Sequence, residues 1–166
     1  MTSSVQTPVQ IAWVTHDLNA TEAALTGLLG AKKWVRMPDV HFGPDTCTYR
    51  GAPADFVAHI SLSYAGETQL ELIQPVTGDS IYSEFLRDCG PGLHHVCLRA
   101  GDRAAFAAAL TDAGTLGADV VTQGVMPGGM EFAYLSAPAA GIPFVEIAYI
   151  PDDIQAFFDH IKQEQV

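Results

Sequence analysis

Apolar and polar positions along this chain fall into alternating strand-like and helical periods, and the order of the periods repeats. Val9 to Thr15 alternates as a strand. It is followed by a helical pattern with Asn19 as its expected N-cap, Glu22 three residues on, and Leu25, Leu28 and Leu29 on one face up to Gly30. Lys33 to Met37, Phe56 to Tyr64 and Glu67 to Ile73 read as strands, with Ala65-Gly66 as a tight connection, while Thr46 to Arg50 reads equally as strand or loop. Asp79 or Ser80 caps a short helix with Ile81, Phe85 and Leu86 on its apolar face, ending at Gly90. The second half then restarts. Leu93 to Arg99 is a strand, Asp102 caps a helix carrying Phe106, Ala109 and Leu110 and ending at Gly114, and strands follow at Asp119 to Thr122, Met130 to Leu135 and Ile142 to Ile150. After Pro151, a helix beginning at Asp152 or Asp153 presents Ile154, Phe157, Phe158 and Ile161 as a stripe suited to docking on the chain's own sheet or on a second subunit.

Within this pattern one residue is out of place. Glu146 lies in Gly141-Ile-Pro-Phe-Val-Glu-Ile-Ala-Tyr-Ile150, apolar on both strand faces. Burying an unpaired carboxylate costs several kcal/mol unless a partner or a cation compensates. The repeat supplies partners. Gln10-Ile-Ala-Trp-Val-Thr-His-Asp17 and His95-Val-Cys-Leu-Arg-Ala-Gly-Asp102 share one layout, a polar residue seven positions before an aspartate. Each octet leads, through a helix and further strands, to an apolar strand with one glutamate: Glu71 in Thr68 to Pro75, and Glu146. Two half-length copies thus donate two polar groups each.

Composition narrows the classes. At 166 residues and 48% hydrophobic content the chain can build a real core, and its length suits one domain, with modules at about 8–76 and 92–150, a linking helix at about 79–89 and a C-terminal helix at about 152–163. A net charge of −11 argues against nucleic acid or an anionic membrane as partner, since phosphate binding draws on clustered Lys and Arg. Cys47, Cys89 and Cys97 form no C-x-x-C pair and read as reduced packing residues. The N-terminus has neither a basic start nor an apolar core of a leader, and no 18-residue apolar run exists, so the expected location is the cytoplasm.

Taken alone, Glu71 reads more readily as the polar side of a half-exposed strand, and His95 as a satisfied core or surface imidazole. Gln10 alone carries almost no signal. Together, two carboxylates, an imidazole nitrogen and an amide oxygen form a donor set for a hard or borderline divalent cation. Thiolates are missing from the set, which excludes a cysteine-type structural zinc site, and one histidine is too few for a two-histidine-one-carboxylate iron triad. His94, the strand neighbour of His95, is expected to face away and pack outside. His16, His41 and His160 attract no role, and Pro127-Gly128-Gly129 reads either as a mobile, substrate-contacting edge or as a plain hairpin connection.

The run Phe85-Leu-Arg-Asp-Cys-Gly-Pro-Gly-Leu-His-His-Val-Cys-Leu98, with Glu71-Leu-Ile-Gln-Pro75 before it and Val145-Glu146-Ile147 after it, resembles the vicinal oxygen chelate superfamily. Within it the likeness is to glyoxalase-like and methylmalonyl-CoA epimerase-like proteins, over about residues 9 to 150. The resemblance implies an α+β fold in which two βαβββ modules form an open eight-stranded cup. It also implies one divalent metal ion (Zn, Ni, Co or Mn), held at positions that Gln10, Glu71, His95 and Glu146 occupy, a small-molecule substrate with vicinal oxygens, and a homodimer. Epimerases of the family commonly carry histidine where Gln10 stands. Glutamine there is similar to glyoxalase I enzymes of the zinc-using kind. The epimerases also use a further glutamate on an earlier strand; Phe56 to Tyr64 has none, and His59 or Ser61 is the polar candidate for that place.

The implied activity is that of a metal-dependent isomerase or lyase abstracting a proton next to a chelated carbonyl, with Glu146 as base and Glu71 as the second choice. The competing expectation is a metal-free binding protein, as the same cup serves in bleomycin resistance; an extradiol-type dioxygenase would need another histidine in place of Gln10. For substrate, a coenzyme A thioester would call for a basic entrance that the scarce Lys and Arg do not offer, and a glutathione hemithioacetal or a natural-product or catabolic ketone stays open.

Overall fold

In the computed structural model, which describes residues 7–166, ten strands form one continuous mixed sheet. The first module supplies β1 (Thr7–Val14), α1 (Leu18–Leu29), β2 (Val35–Phe42), two short strands β3 (Cys47–Tyr49) and β4 (Ala52–Pro53), then β5 (Phe56–Ala65) and β6 (Thr68–Thr77). The helix α2 (Ile81–Cys89) leads to the second module: β7 (Gly92–Ala100), α3 (Arg103–Thr115), β8 (Val120–Val125), β9 (Glu131–Ser136) and β10 (Phe144–Tyr149), with α4 (Asp152–Gln163) at the end. Strand order is β2-β5-β6-β1-β7-β10-β9-β8-β3-β4. The eight expected strands are all present, and β3 and β4 extend the count to ten.

The modules meet at their first strands. β1 runs antiparallel to β7, while each pairs in parallel with the last strand of its own module, β1 with β6 and β7 with β10. The sheet curls into a half-barrel. Phe42, on the edge strand β2, brings its ring centroid to 6.0 Å from that of Phe132 on β9, although five strands stand between β2 and β9 in the sheet. After Phe42 the chain reaches β3 in five residues, a span of at most about 17 Å, and β3 pairs with β8. The segment Thr46 to Arg50, open between strand and loop in the sequence, is therefore a strand that ties the two far edges together. Gly124 permits this close approach, since a Cβ there would lie 2.5 Å from Cys47 Sγ.

Faces follow from strand parity. On the convex face α1 covers its own module through Leu18 and Leu25 against Leu72, and α3 covers the other through Phe106, Ala109 and Ala113 against Ala133 and Ile147. The concave face is lined by alternate residues of the same strands, and α2 and α4 pack into that side with Ile81, Tyr82, Phe158 and Ile161. The stripe on α4 thus docks on the chain's own sheet.

Several boundaries differ from the sequence reading. Asp17, not Asn19, caps α1, its side chain accepting from the Ala20 N–H; Glu22 is drawn instead to Arg36 and Ser61. The hairpin turn is Gly66-Glu67, with Gly66 at φ 59° and Ala65 paired to Thr68. Helix α2 starts at Ile81 as expected, Ser80 rather than Asp79 being the cap, in a reciprocal pair with Ser83. Helix α3 runs past Gly114 to Thr115, because nothing in the helix turns left-handed until Gly117. Among the described residues no helix is long and apolar enough to cross a membrane.

Candidate metal centre

Four side chains from the central strands of both modules converge on one point. His95 Nε2 lies 3.3 Å from Gln10 Oε1, 3.4 Å from Glu71 Oε2 and 3.2 Å from Glu146 Oε2. One donor atom each from Glu71, His95 and Glu146 can be chosen so that all lie within 4.8 Å of one another. Ligands held about 2.1 Å from a common ion stand about 3.0 Å apart in an octahedral shell and about 3.4 Å apart in a tetrahedral one. The spacing around His95 falls in that interval, and the donors are the oxygen and imidazole types that divalent ions accept. The residues present therefore fit such an ion.

Register explains the convergence. Gln10 pairs with Cys97 across β1 and β7, and His95 pairs with Ala12, so the two first-strand groups are related by the pseudo-twofold axis between the modules. Ala12 pairs with Glu71 and Cys97 with Glu146 on the parallel neighbours, completing the symmetric set. One extra residue sits just before each first-strand group, Val9 on β1 and His94 on β7, where the β1–β7 register shifts. A bulge of this kind re-aims the flanking side chains.

The bulge at His94 overturns the expectation for that residue. Strict alternation would send its ring to the convex face, but the ring is fully buried on the same side as His95, with the two Nδ1 atoms 2.9 Å apart. Tyr82, Phe85 and Phe144 enclose it, at centroid distances of 5.2, 5.1 and 4.8 Å. Burial, with the charge on His95 beside it, holds His94 down at about 2, so it stays neutral. A neutral His94 accepting at Nδ1 fixes the tautomer of His95 and turns its Nε2 to the cluster. The sequence signal for this role was the His-His pair itself; strand parity misdirected it.

Gln10 is oriented by a different device. Its amide Nε2 donates to Gln69 Oε1 at 2.6 Å, and Gln69 Nε2 donates to the Tyr64 hydroxyl at 3.1 Å. With its N–H groups directed to Gln69, Gln10 presents oxygen to the cluster. In the sequence Gln69 is an ordinary polar position of a strand, with no signal of this role.

Electrostatically the cluster sets two largely buried carboxylates around one buried imidazole. Burial opposes a charged imidazole, yet hydrogen bonding and charge from Glu146 and Glu71 raise His95 to about 9. Its proton supplies the positive charge the two carboxylates require. Burial pushes Glu71 above the ordinary carboxylate value, although it is the most exposed of the His95-linked acids.

The cluster forms the floor of a cavity of ≈ 260 Å³. Ile60 and Leu62 of β5 line one wall and Phe132 and Tyr134 of β9 the other. His59 and Ser61, the candidates for a second acid or base, are not in it. Ser61 points to the convex face and donates to Glu22 Oε1 at 2.7 Å, and His59 Nδ1 accepts from the Asp39 N–H at 3.0 Å. They share the outward parity of β5, whose inward positions are apolar. Pro127 lines the cavity mouth, so the Pro127-Gly128-Gly129 connection is at once a β8–β9 turn and part of the rim.

Comparison with known proteins agrees with this fold. A structure of a hypothetical protein from Bacillus halodurans C-125 superposes with a TM-score of 0.65 at 17% identity, covering 90% of this chain and 97% of its own. Methylmalonyl-CoA epimerase from Mycobacterium tuberculosis gives a TM-score of 0.66 at 17% identity, covering 94% of this chain and 96% of its own. A Streptomyces coelicolor methylmalonyl-CoA epimerase variant in complex with 2-nitronate-propionyl-CoA gives 0.60 at 20% identity, with 88% of this chain and 98% of that one covered. At such identities the likeness is one of fold. No curated protein sequence matches significantly. The sequence profile of the Glyoxalase/Bleomycin resistance protein/Dioxygenase superfamily matches residues 9–134, and the chain belongs to that superfamily.

Proposed function

We propose that the protein is a divalent-metal-dependent isomerase or lyase of glyoxalase-like type, with Gln10, Glu71, His95 and Glu146 as the metal ligands. The observation that carries this reading is the convergence of three oxygens on His95 Nε2, at 3.2 to 3.4 Å, on the floor of an apolar cavity. A divalent ion bound there would supply Lewis-acid stabilisation of the negative charge that develops on a substrate oxygen as a neighbouring carbon loses its proton.

The chain's own groups would do the rest. Glu146 is the proposed base: it is the more buried carboxylate, and no cation other than His95 touches it. Glu71, related to it by the module repeat, is placed to return the proton. His59 and Ser61 face outward and β5 offers only Ile60 and Leu62 to the cavity, which supports assigning proton transfer to these two glutamates. Epimerisation with a separate pair of acid/base groups is thus disfavoured against a one-site proton shift. The apolar walls exclude water, which strengthens every charge interaction at the floor.

All four proposed ligands come from one chain, so a partner is not required to complete the site. The homodimer and the cytoplasmic location remain part of the proposal, the latter consistent with three free cysteines. Elemental analysis of protein purified without chelator tests the reading: near-stoichiometric Zn, Ni, Co or Mn is expected. Metal-free protein whose thermal stability no divalent ion raises would instead point to a binding protein.

A further inference from the structure

The cavity above the donor cluster has a lining whose chemistry is defined by the described residues. Beyond the donor cluster its lining is Met37, Val40, Phe42, Ile60 and Leu62 from the first module, and Met126, Met130 and Phe132 from the second, with Phe157 and Phe158 of α4 over the mouth. Its remaining polar groups, the hydroxyls of Tyr82 and Tyr134, bond to each other at 2.6 Å. Burial raises both well above the usual phenol value, so this pair stays neutral.

Among the described residues no Lys or Arg lines the cavity, and Arg103, which flanks the rim at Gly129, is paired with Glu131. Of the chain's eight Lys and Arg residues, Lys33, Arg36, Arg50, Arg87, Arg103 and Lys162 are in ion pairs with Glu164, Glu22, Glu84, Asp88, Glu131 and Glu67. Arg103 comes nearest, beside the 127–129 turn, but its guanidinium is bonded to Glu131 and lies over the Tyr149 ring. Arg99 lines a separate polar cleft, and Lys32 is not in the lining of this cavity. A substrate carrying phosphates or several carboxylates would approach a chain of net charge −11 and meet at the entrance only Arg103, already neutralised by Glu131.

Size points the same way. A space of ≈ 260 Å³ takes a compact molecular body, and any longer part of a ligand would have to lie outside the mouth among uncharged side chains. The rim is adaptable: Met126 and Met130 have flexible thioether chains, and Phe157 is 37% exposed at its edge.

We infer that the substrate is a compact molecule with an uncharged apolar body, aliphatic or aromatic, and two adjacent oxygens at one end, such as an α-hydroxyketone or α-diketone. A coenzyme A thioester or a glutathione adduct is excluded as the physiological ligand. This rests on the metal reading, because the adjacent oxygens are recognised through the ion.

Two chelators with the same head and different bodies test it. The protein is loaded with Ni or Co, metal content is measured, and binding of benzohydroxamate is compared by calorimetry with that of a hydroxamate built on glutathione. The aromatic probe should bind at least about tenfold tighter, with little dependence on ionic strength, since its body carries no charge. F157S should weaken it about fivefold by removing apolar contact at the mouth, and F157L should restore most of the loss, with metal content unchanged in both. If the ion is held but the glutathione-bodied probe binds as tightly or tighter, or F157S has no effect, the substrate class is wrong while the metal reading stands. If no ion is held, the metal reading itself falls and takes this inference with it.

Discussion

The two modules place equivalent backbone positions around one site and then equip them differently. In the first, Gln10 offers a neutral amide oxygen and is steered by a hydrogen-bonded chain through Gln69 to Tyr64. In the second, His95 offers an imidazole nitrogen and is steered by His94 inside an aromatic enclosure. The residue equivalent to Gln69 is Phe144, which pairs with His95 as Gln69 pairs with Gln10, and stacks on His94 instead of hydrogen-bonding. The cavity walls diverge likewise: Leu62, opposite Glu71, has Tyr134 as its counterpart opposite Glu146. Duplication supplied the geometry, and divergence at the positions beside each donor set what that donor is.

If the modules were functionally equivalent, removing either glutamate would do equal harm. We expect otherwise. Glu146→Gln should abolish turnover, by roughly 10²–10⁴-fold or more, through loss of the base, and should also reduce bound metal. Glu71→Gln should lower metal content comparably but leave more residual rate. Metal content and initial rates on an α-hydroxyketone that the protein turns over would separate the two, and a larger rate loss in Glu71→Gln would reverse the assignment of the base.

The next effect concerns the steering residues. His94→Phe keeps the aromatic packing but removes the Nδ1 acceptor, so His95 loses the partner that fixes its tautomer. Loss of such an outer partner typically costs 10–100-fold in metal affinity, and we expect a value in that range from competition with a chromophoric chelator. Gln69→Leu should cost less, about 3–10-fold, because the most it can forfeit is the contribution of a neutral amide oxygen. Equal losses would mean that His94 matters only as packing.

How much of this was legible beforehand depended on whether alternation held. Glu146 announced itself because an unpaired carboxylate in an apolar strand has no cheap explanation, and Gln10, Glu71 and His95 followed from the repeat. Most of the eight main strands were visible because they have two buried faces, as β5 does, or a clean alternation, as β1 does. His94 was misplaced because a one-residue bulge, invisible in a single sequence, breaks the parity on which the reading relied. The tie of β3 to β8 was undecidable for a related reason: three residues carry too little periodicity, and their pairing partner lies in the other module. Gln69 and Tyr64 were missed because a strand glutamine is ordinary until its neighbour is known to need orienting.

The proton on His95 gives a pH test of the same site. In the metal-free protein the ring's value of about 9 lies above the ordinary 6.5, so the carboxylates stabilise the fold fully below about pH 6.5 and this contribution fades as pH rises through 9. A metal ion replaces that proton. Binding near pH 7.5 should release about one proton per ion, and apparent affinity should climb up to about tenfold per pH unit until pH 9. Calorimetry in buffers of different ionisation enthalpy reads the proton directly; zero release at pH 7.5 would show that His95 Nε2 is not displaced.

The smallest expected effect tests the difference in the walls. If a second acid or base stood on β5, it would be His59 or Ser61, and the first module would share the chemistry rather than merely bind. Yet Ser61 is fully buried under α1 and hydrogen-bonded to Glu22, which Arg36 also holds, and His59 meets the Asp39 backbone. Both are separated from the cavity by the sheet itself, whose inward neighbours there are Ile60 and Leu62. Ser61→Ala should therefore cost stability, about 0.5–1.5 kcal/mol for a lost hydrogen bond, seen as a lower denaturation midpoint. His59→Ala should cost less still, its ring being partly exposed. Neither should change kcat/KM by more than about twofold, since removing a proton-transferring group would cost at least about a hundredfold. A hundredfold loss from either substitution, with metal content intact, would place a catalytic group on β5 after all and restore a two-base epimerase as the better reading.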